Sequence, residues 1–216
     1  MSNPQVRAGV TAFGRIDFSG RPPDTLFSFK YRKLQWDYVQ AHNIFLEVNP
    51  NGDHLGLAPR EDPFDRLKFA AENVLSSANG AWRELCQQVF REKGLKAKKF
   101  EAAIVELEAN HPKEGALLRV AENTLMLKIN RVRGHYEHTG WFTLDFALAT
   151  EDAPFNWDLI GDNGSESLLI LRNVRRAAHL LFELNRVLGL GAPIEPFKDA
   201  CERCRPDPFL QMQLSA

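Results

Sequence analysis

Cysteine is scarce in this chain, with 3 among 216 residues. Three thiols cannot complete a set of disulfides, which excludes a disulfide-stapled scaffold and predicts a reducing, cytoplasmic setting. Long apolar runs are missing as well. No stretch approaches the roughly 18–20 apolar residues that a membrane-spanning helix needs, and no hydrophobic signal segment follows Met1. The sequence therefore predicts no membrane partner.

An excess of charge of one sign is also absent, since 27 Lys and Arg face 28 Asp and Glu for a formal net charge of −1. This balance argues against broad electrostatic binding of DNA, but it allows a few arginines to gather at one small phosphate site. Glycine-rich phosphate loops do not occur, and neither does the G-x-S-x-G nucleophile elbow. The composition, 44% hydrophobic and 25% charged, is that of an ordinary globular protein.

Metal-ligating patterns are incomplete in this sequence. Cys201 and Cys204 form a single C-x-x-C pair, and a zinc site needs two further ligands that no second pair supplies. A zinc ion shared between two copies of the chain stays open as an alternative. So does a metal site seeded by His135 and His138 with a third histidine. We expect reduced thiols, no resident metal and no cofactor.

The first 60 residues favour β-structure. Phe27, Phe29 and Tyr31 alternate with polar residues, which is the period of a half-buried strand. A second short strand is predicted at Ile44–Val48, before a run of turn-forming residues. Residues 1–60 are therefore predicted to be a β-leaning N-terminal segment.

Helical periodicity begins after residue 60. Asp62 followed by Pro63 is a typical helix start, and apolar residues then recur at spacings of three and four up to a predicted end at Gly94. The same pattern predicts three further helices over about 100–111, 117–133 and 165–188, with a short strand or arm at 141–149 and a loop at 152–164. The predicted fold class is mainly α. It is an antiparallel four-helix bundle over residues 61–190, followed by a proline-containing C-terminal tail over 191–216.

The end of the third predicted helix concentrates the side chains of chemical interest. Arginine supplies fixed bidentate donors for phosphate, and histidine exchanges a proton near pH 7. Such a set suits cleavage of a phosphodiester, where a proton moves while charge builds on the non-bridging oxygens. The residues concerned are Arg131, Arg133, His135, Tyr136, Glu137 and His138.

Spacing decides which of these residues meet. On a continuous helix Arg133 and His138 lie about 140° apart, because each residue turns by about 100°. They converge only if the helix stops or bends between them, for which Gly134 offers an opportunity. Arg131, by contrast, shares one face with the two histidines if the helix continues.

The segment Arg133–His138 resembles the Arg-x4-6-His motif of HEPN domains, and a further helix follows it, as in that family. HEPN domains are small helical bundles, typically dimeric, and many are metal-independent ribonucleases of toxin–antitoxin or phage-defence systems. The resemblance covers about residues 62–190 and implies a homodimer that acts on RNA with Arg133 and His138 as catalytic residues. Arg131, His135 and Tyr136 would support them. One departure is Gly134, where the family often has a polar residue.

A second match, Arg172-x6-His179, has the polar Asn173 after its arginine. Seven residues are nearly two helical turns, so Arg172 and His179 share a face and could supply phosphate contacts. The alternative for this segment is a solvated polar helix face. For the whole chain, the alternative is a non-catalytic dimeric interaction module that binds a protein or nucleic acid.

Overall fold

A computed structural model describes residues 25–48, 61–96, 99–139, 143–147, 158–162 and 167–197. Within these ranges the chain is mainly helical, which confirms the predicted class. None of the described helices is long and apolar enough to cross a membrane. The elements are α1 (Leu26–Val48), α2 (Glu61–Glu92), α3 (Phe100–Asn110), α4 (Pro112–Ala121), a π-helical turn (Glu122–Met126), α5 (Leu127–Thr139), β1 (Thr143–Ala147), β2 (Asp158–Asp162), β3 (Ser167–Leu169) and α6 (Ile170–Val187).

The prediction of β-structure in the N-terminal segment was wrong for the described residues 26–48, which form α1. Thr25 caps this helix, because its hydroxyl oxygen accepts the backbone N–H of Ser28 at 3.0 Å. Phe29, at the centre of the apparent alternation, is 55% exposed. The alternation was too short to separate the two periods, since residues four apart share a face in a strand and in a helix alike. The buried residues of α1 follow helical spacing: Phe27, Tyr31, Leu34, Ala41 and Phe45.

The long helix predicted from Asp62 to Gly94 is confirmed as α2, which begins one residue before the predicted start. Gly94 has a positive φ of 66°, a conformation in which glycine has no steric penalty. The N–H of Leu95 then reaches back to the Phe90 carbonyl at 3.0 Å, and the Gly94 N–H reaches the Arg91 carbonyl at 3.1 Å. This pair of bonds satisfies the last carbonyls of the helix.

The predicted third helix is longer than expected. It begins at Pro112 and runs through α4, the π-helical turn and α5 to Thr139. At its start α4 lies very close to α3, since a Cβ added to Gly115 would stand 2.6 Å from the Glu108 Cα. Arg119 links the same helices by ion pairs to Glu101 at 2.7 Å and to Glu108 at 2.9 Å.

The described strands form one antiparallel sheet in the order β1–β2–β3. β1 lies within the predicted extended stretch 141–149, and Thr143 pairs with Asp162. The prediction of a loop over 152–164 was wrong for Asp158–Asp162, which form β2. The prediction of a helix from residue 165 was wrong for Ser167–Leu169, which form β3. The residues of β2, Asp-Leu-Ile-Gly-Asp, show no alternation, so its pairing with neighbours on both sides defines it as a strand.

One hydrophobic core joins the helices across the predicted boundary at residue 60. α1 and α2 pack side by side, α6 contacts both, and α5 packs on α2. Their buried residues belong to a single cluster, so α1 is part of the bundle.

The chain after α6 also packs onto the bundle where it is described. The side-chain amide of Asn185 pairs with both the N–H and the carbonyl of Ala192, each at 3.2 Å. Gln88 of α2 donates to the Leu190 carbonyl at 3.1 Å. Phe197 is 7% exposed, so at least these first residues of the predicted tail are anchored.

Candidate functional site

The helix α5 continues through Gly134, which separates the two residues of the predicted catalytic pair. Arg133 and His138 lie on one uninterrupted helix that ends at Thr139, so they project about 140° apart. The Arg133 side chain is 23% exposed, and its Nη1 lies 3.1 Å from the Glu137 carboxylate one turn further on. His138 is exposed. The structure therefore does not bring Arg133 and His138 together within one chain.

A different set of residues shares the outward side of α5. Arg131 and His138 are exposed, and His135 between them is half-buried. Their spacing of four and three residues places them on one face of the continuous helix. Arg131 and His135 each take part in a further interaction within the chain. We call these three residues the α5 face. It combines a guanidinium, which can bind a phosphate, with two imidazoles, which can exchange protons.

Tyr136 lies on another side of α5 and faces α2. Burial raises the pKa of its hydroxyl, and the Glu72 carboxylate, to which it hydrogen-bonds, raises that pKa further. A phenol held protonated in this way is a hydrogen-bond donor. Its partner is an internal carboxylate, so Tyr136 ties α5 to α2, and its supporting role at a phosphate stays a prediction.

The second motif lies on α6, a helix that contacts α5. Arg172 is exposed, whereas His179 is half-buried and its ring meets that of Phe197 at 5.9 Å, edge to face. Each residue has an interaction partner. The shared face predicted from the spacing is therefore partly covered, because Phe197 of the C-terminal segment lies against its histidine.

A metal centre has no ligand set in the described part of the chain. No group of three or more His, Cys, Asp or Glu side chains there is close enough to hold an ion. The alternative based on His135 and His138 thus lacks a third described ligand. Cys201 and Cys204 lie outside the described residues, as does His54.

Sequence reasoning missed a buried polar contact beside α5. Trp82 of α2 is 2% exposed and donates its indole N–H to the Glu122 carboxylate at 2.5 Å. Burial raises the pKa of Glu122, the Trp82 hydrogen bond opposes this, Glu101 adds to it, and Arg83 and Arg119 counter it. No local sequence pattern indicates the contact between Trp82 and Glu122, because the two residues are 40 positions apart.

A second polar contact joins α1 to α2. Lys33 and Ser77 both hydrogen-bond to the Asp37 carboxylate, and the Lys33 ammonium also donates to the Ser77 hydroxyl at 2.8 Å. Ser77 is buried, so these bonds satisfy a polar group that α2 carries into the interface. The arrangement is a structural link between two helices.

Comparison of the chain with protein-family models, with curated proteins and with solved structures finds no match.

Proposed function

We propose that the protein is a metal-independent ribonuclease of the HEPN type, with the α5 face as its reactive surface. The observation that carries this proposal is the exposure of Arg131 and His138 on one side of a continuous helix, with His135 between them. We also propose that the helices form an antiparallel four-helix bundle and that RNA is the partner. The same proposal includes a role in toxin–antitoxin or phage-defence systems.

The chemistry needs a phosphate ligand and a proton carrier within reach of the same group. In the proposed reaction the ribose 2′-hydroxyl attacks the adjacent phosphorus and the bond to the 5′ oxygen breaks. The 2′ proton is removed, and a proton is returned to the leaving 5′ oxygen. His138 acts as general acid or base, while Arg131 binds the non-bridging oxygens on which negative charge builds. His135 supports both from the middle of the face.

Arg133 has a different place in this scheme. Its ion pair with Glu137 and its position on the far side of α5 oppose a role beside His138 of the same chain. The pairing of Arg133 with His138 that the family motif implies would need the histidine of a second copy. This pairing between two copies stays a prediction. Comparing the Arg131→Ala and Arg133→Ala variants tests it directly.

The test is RNA cleavage in the presence of EDTA, with single-stranded and folded substrates. We expect His138→Ala to lower the rate by about 10²–10⁴. Arg131→Ala should lower it by about 10²–10³, the usual effect of removing a donor to a developing oxyanion. Arg133→Ala should have a smaller effect, and Arg91→Ala, an exposed arginine at the end of α2, should have none.

Three outcomes would count against this assignment. Absence of cleavage by the pure wild type would refute the ribonuclease, and equal cleavage by His138→Ala would refute the α5 face as its site. A loss in Arg133→Ala as large as that in His138→Ala, with Arg131→Ala active, would move the site to the motif pair formed between two copies.

A second candidate function has its own observation, on α1. The outward side of this helix exposes four large apolar residues, and such a stripe is typical of an interaction surface. We propose as the alternative a non-catalytic dimeric module in which a second copy covers this stripe. The residues are Leu26 (53% exposed), Phe29 (55%), Trp36 (66%) and Val39 (46%).

Sedimentation analysis tests the dimer interface of this alternative, and the RNA-cleavage assay above tests its lack of catalysis. A dimer that Trp36→Ser dissociates, while Phe69→Ser does not, supports the α1 stripe, since Phe69 of α2 is an exposed aromatic residue outside the stripe, at 59%. A monomeric wild type, or equal dissociation by both variants, would contradict it.

A further inference from the structure

The long helix that carries the α5 face changes its hydrogen bonding at Glu122–Met126. Within this π-helical turn the N–H of Leu127 bonds to the carbonyl of Glu122, five residues back instead of four. Each residue of an α-helix turns the chain by about 100°. When a backbone hydrogen bond spans five residues instead of four, the side chains that follow are rotated about the helix axis by a comparable angle. The turn therefore sets the direction in which α5 presents its side chains.

The first residue of the turn is attached to the core by its side chain. The Glu122 carboxylate accepts the Trp82 indole N–H at 2.5 Å, and Trp82 itself is 2% exposed within α2. Thus Glu122 is fixed twice, through its backbone carbonyl to Leu127 and through its carboxylate to the core. Further along, the Thr124 hydroxyl donates to the Val120 carbonyl at 2.7 Å, which gives that carbonyl a side-chain donor inside the turn.

The placement of a carboxylate here needs an explanation other than stability. Burial disfavours its ionised form, and Glu101 is a further negative charge nearby. A neutral acceptor of similar shape would not carry this cost of ionisation. The Glu122 side chain supplies a hydrogen-bond acceptor for the Trp82 N–H. It does so at the residue where the backbone hydrogen bonding changes to the π-helical pattern.

We propose that Glu122 is a positioning residue for the α5 face. It holds the π-helical turn against Trp82 and so fixes the rotation with which α5 presents Arg131 and His138. The functional part of this inference rests on the proposed ribonuclease, whereas the attachment of the helix does not.

Amide hydrogen exchange tests the attachment without any RNA. We expect Glu122→Ala and Trp82→Phe each to speed exchange of the Leu127–Thr139 amides by about 5–30-fold, the usual effect of losing one or two kcal/mol. Glu122→Gln keeps an acceptor oxygen and should exchange no faster than the wild type. Asn123→Ala, an exposed neighbour in the same turn, is the control, and the amides of α6 report any global loss of stability.

The inference is overturned if Glu122→Ala exchanges like Asn123→Ala over Leu127–Thr139, or if α6 speeds up equally. It is also overturned if Glu122→Gln is as damaging as Glu122→Ala, because then the acceptor does not matter.

Cleavage kinetics test the functional part. Misplacement of a reactive group by about 1 Å can lower a rate by about 10²-fold. We expect Glu122→Ala to lower kcat by about 10–100-fold with KM nearly unchanged, and Glu122→Gln to restore kcat. If the wild type does not cleave RNA while the exchange pattern holds, the ribonuclease fails and the attachment stands. If the wild type cleaves and Glu122→Ala keeps its kcat, the positioning role fails alone.

Discussion

The continuity of α5 through Gly134 can be tested by adding one methyl group. Gly134 lies in the helix with a backbone that alanine can adopt, and a Cβ built there meets nothing within 4 Å. Alanine in a helix interior is favoured over glycine by about 0.5–1 kcal/mol, because glycine loses more backbone freedom on folding. We therefore expect Gly134→Ala to raise the free energy of unfolding by that amount.

The same substitution at Gly115 should have the opposite sign. There the new Cβ would stand 2.6 Å from the Glu108 Cα and 2.8 Å from its backbone nitrogen, so α3 and α4 would have to separate. Overpacking of this kind typically costs about 1–3 kcal/mol, which outweighs the helical gain of at most about 1 kcal/mol. We expect Gly115→Ala to lower the free energy of unfolding by about 1–2 kcal/mol.

Urea unfolding followed by circular dichroism measures both variants against the wild type. For a chain of this size, 1 kcal/mol corresponds to a shift in Tm of about 2–4 °C. Destabilisation by Gly134→Ala would refute the reasoning, because it would mean that the helix bends at this residue. Arg133 and His138 could then converge, and the α5 face would lose its geometric basis. A neutral Gly115→Ala would show that α3 and α4 can separate at Gly115 without a cost in stability.

Three further predictions concern buried groups. Burial raises the pKa of Glu122, so the native state holds its proton more tightly than the unfolded state and loses relative stability as pH rises from the usual value of 4.5 through the raised pKa. Glu122→Gln should then be more stable than wild type at pH 7, an advantage that shrinks towards and below the usual pKa of 4.5 in urea titrations, whereas a pH-independent difference would contradict it. Asn185→Ala should lower the free energy of unfolding by about 1–3 kcal/mol, since it leaves the N–H of buried Ala192 without its partner, whereas the Ala192 carbonyl still accepts the Ile194 N–H at 2.9 Å; a change below about 0.5 kcal/mol would exclude this role. Complete burial raises the pKa of the Cys86 thiol, so mass spectrometry should find it unmodified by iodoacetamide at pH 8 in the folded protein and modified in urea, and rapid labelling in the folded protein would contradict its burial.

Long periodic stretches predicted the helices well, and short patterns did not. The helix α2 has more than twenty residues of sustained spacing between its proline start and Gly94, so no other structure fits it. The three residues Phe27, Phe29 and Tyr31 fit a strand equally well, and only the burial of the first and third with Leu34 identifies α1. The strand β2 has no pattern of its own and exists through its neighbours.

The amino-acid sequence by itself determined the mainly helical class and the concentration of arginine and histidine near residues 131–138, because both are properties of local spacing and residue type. The tertiary structure decided which of those side chains share a face. Arg131, rather than Arg133, lies with His138, since α5 continues through Gly134. It also decided the contact of Glu122 with Trp82, which depends on how α2 packs against a residue 40 positions away. Helix continuity and packing are free-energy balances of the whole fold, and no short segment contains them.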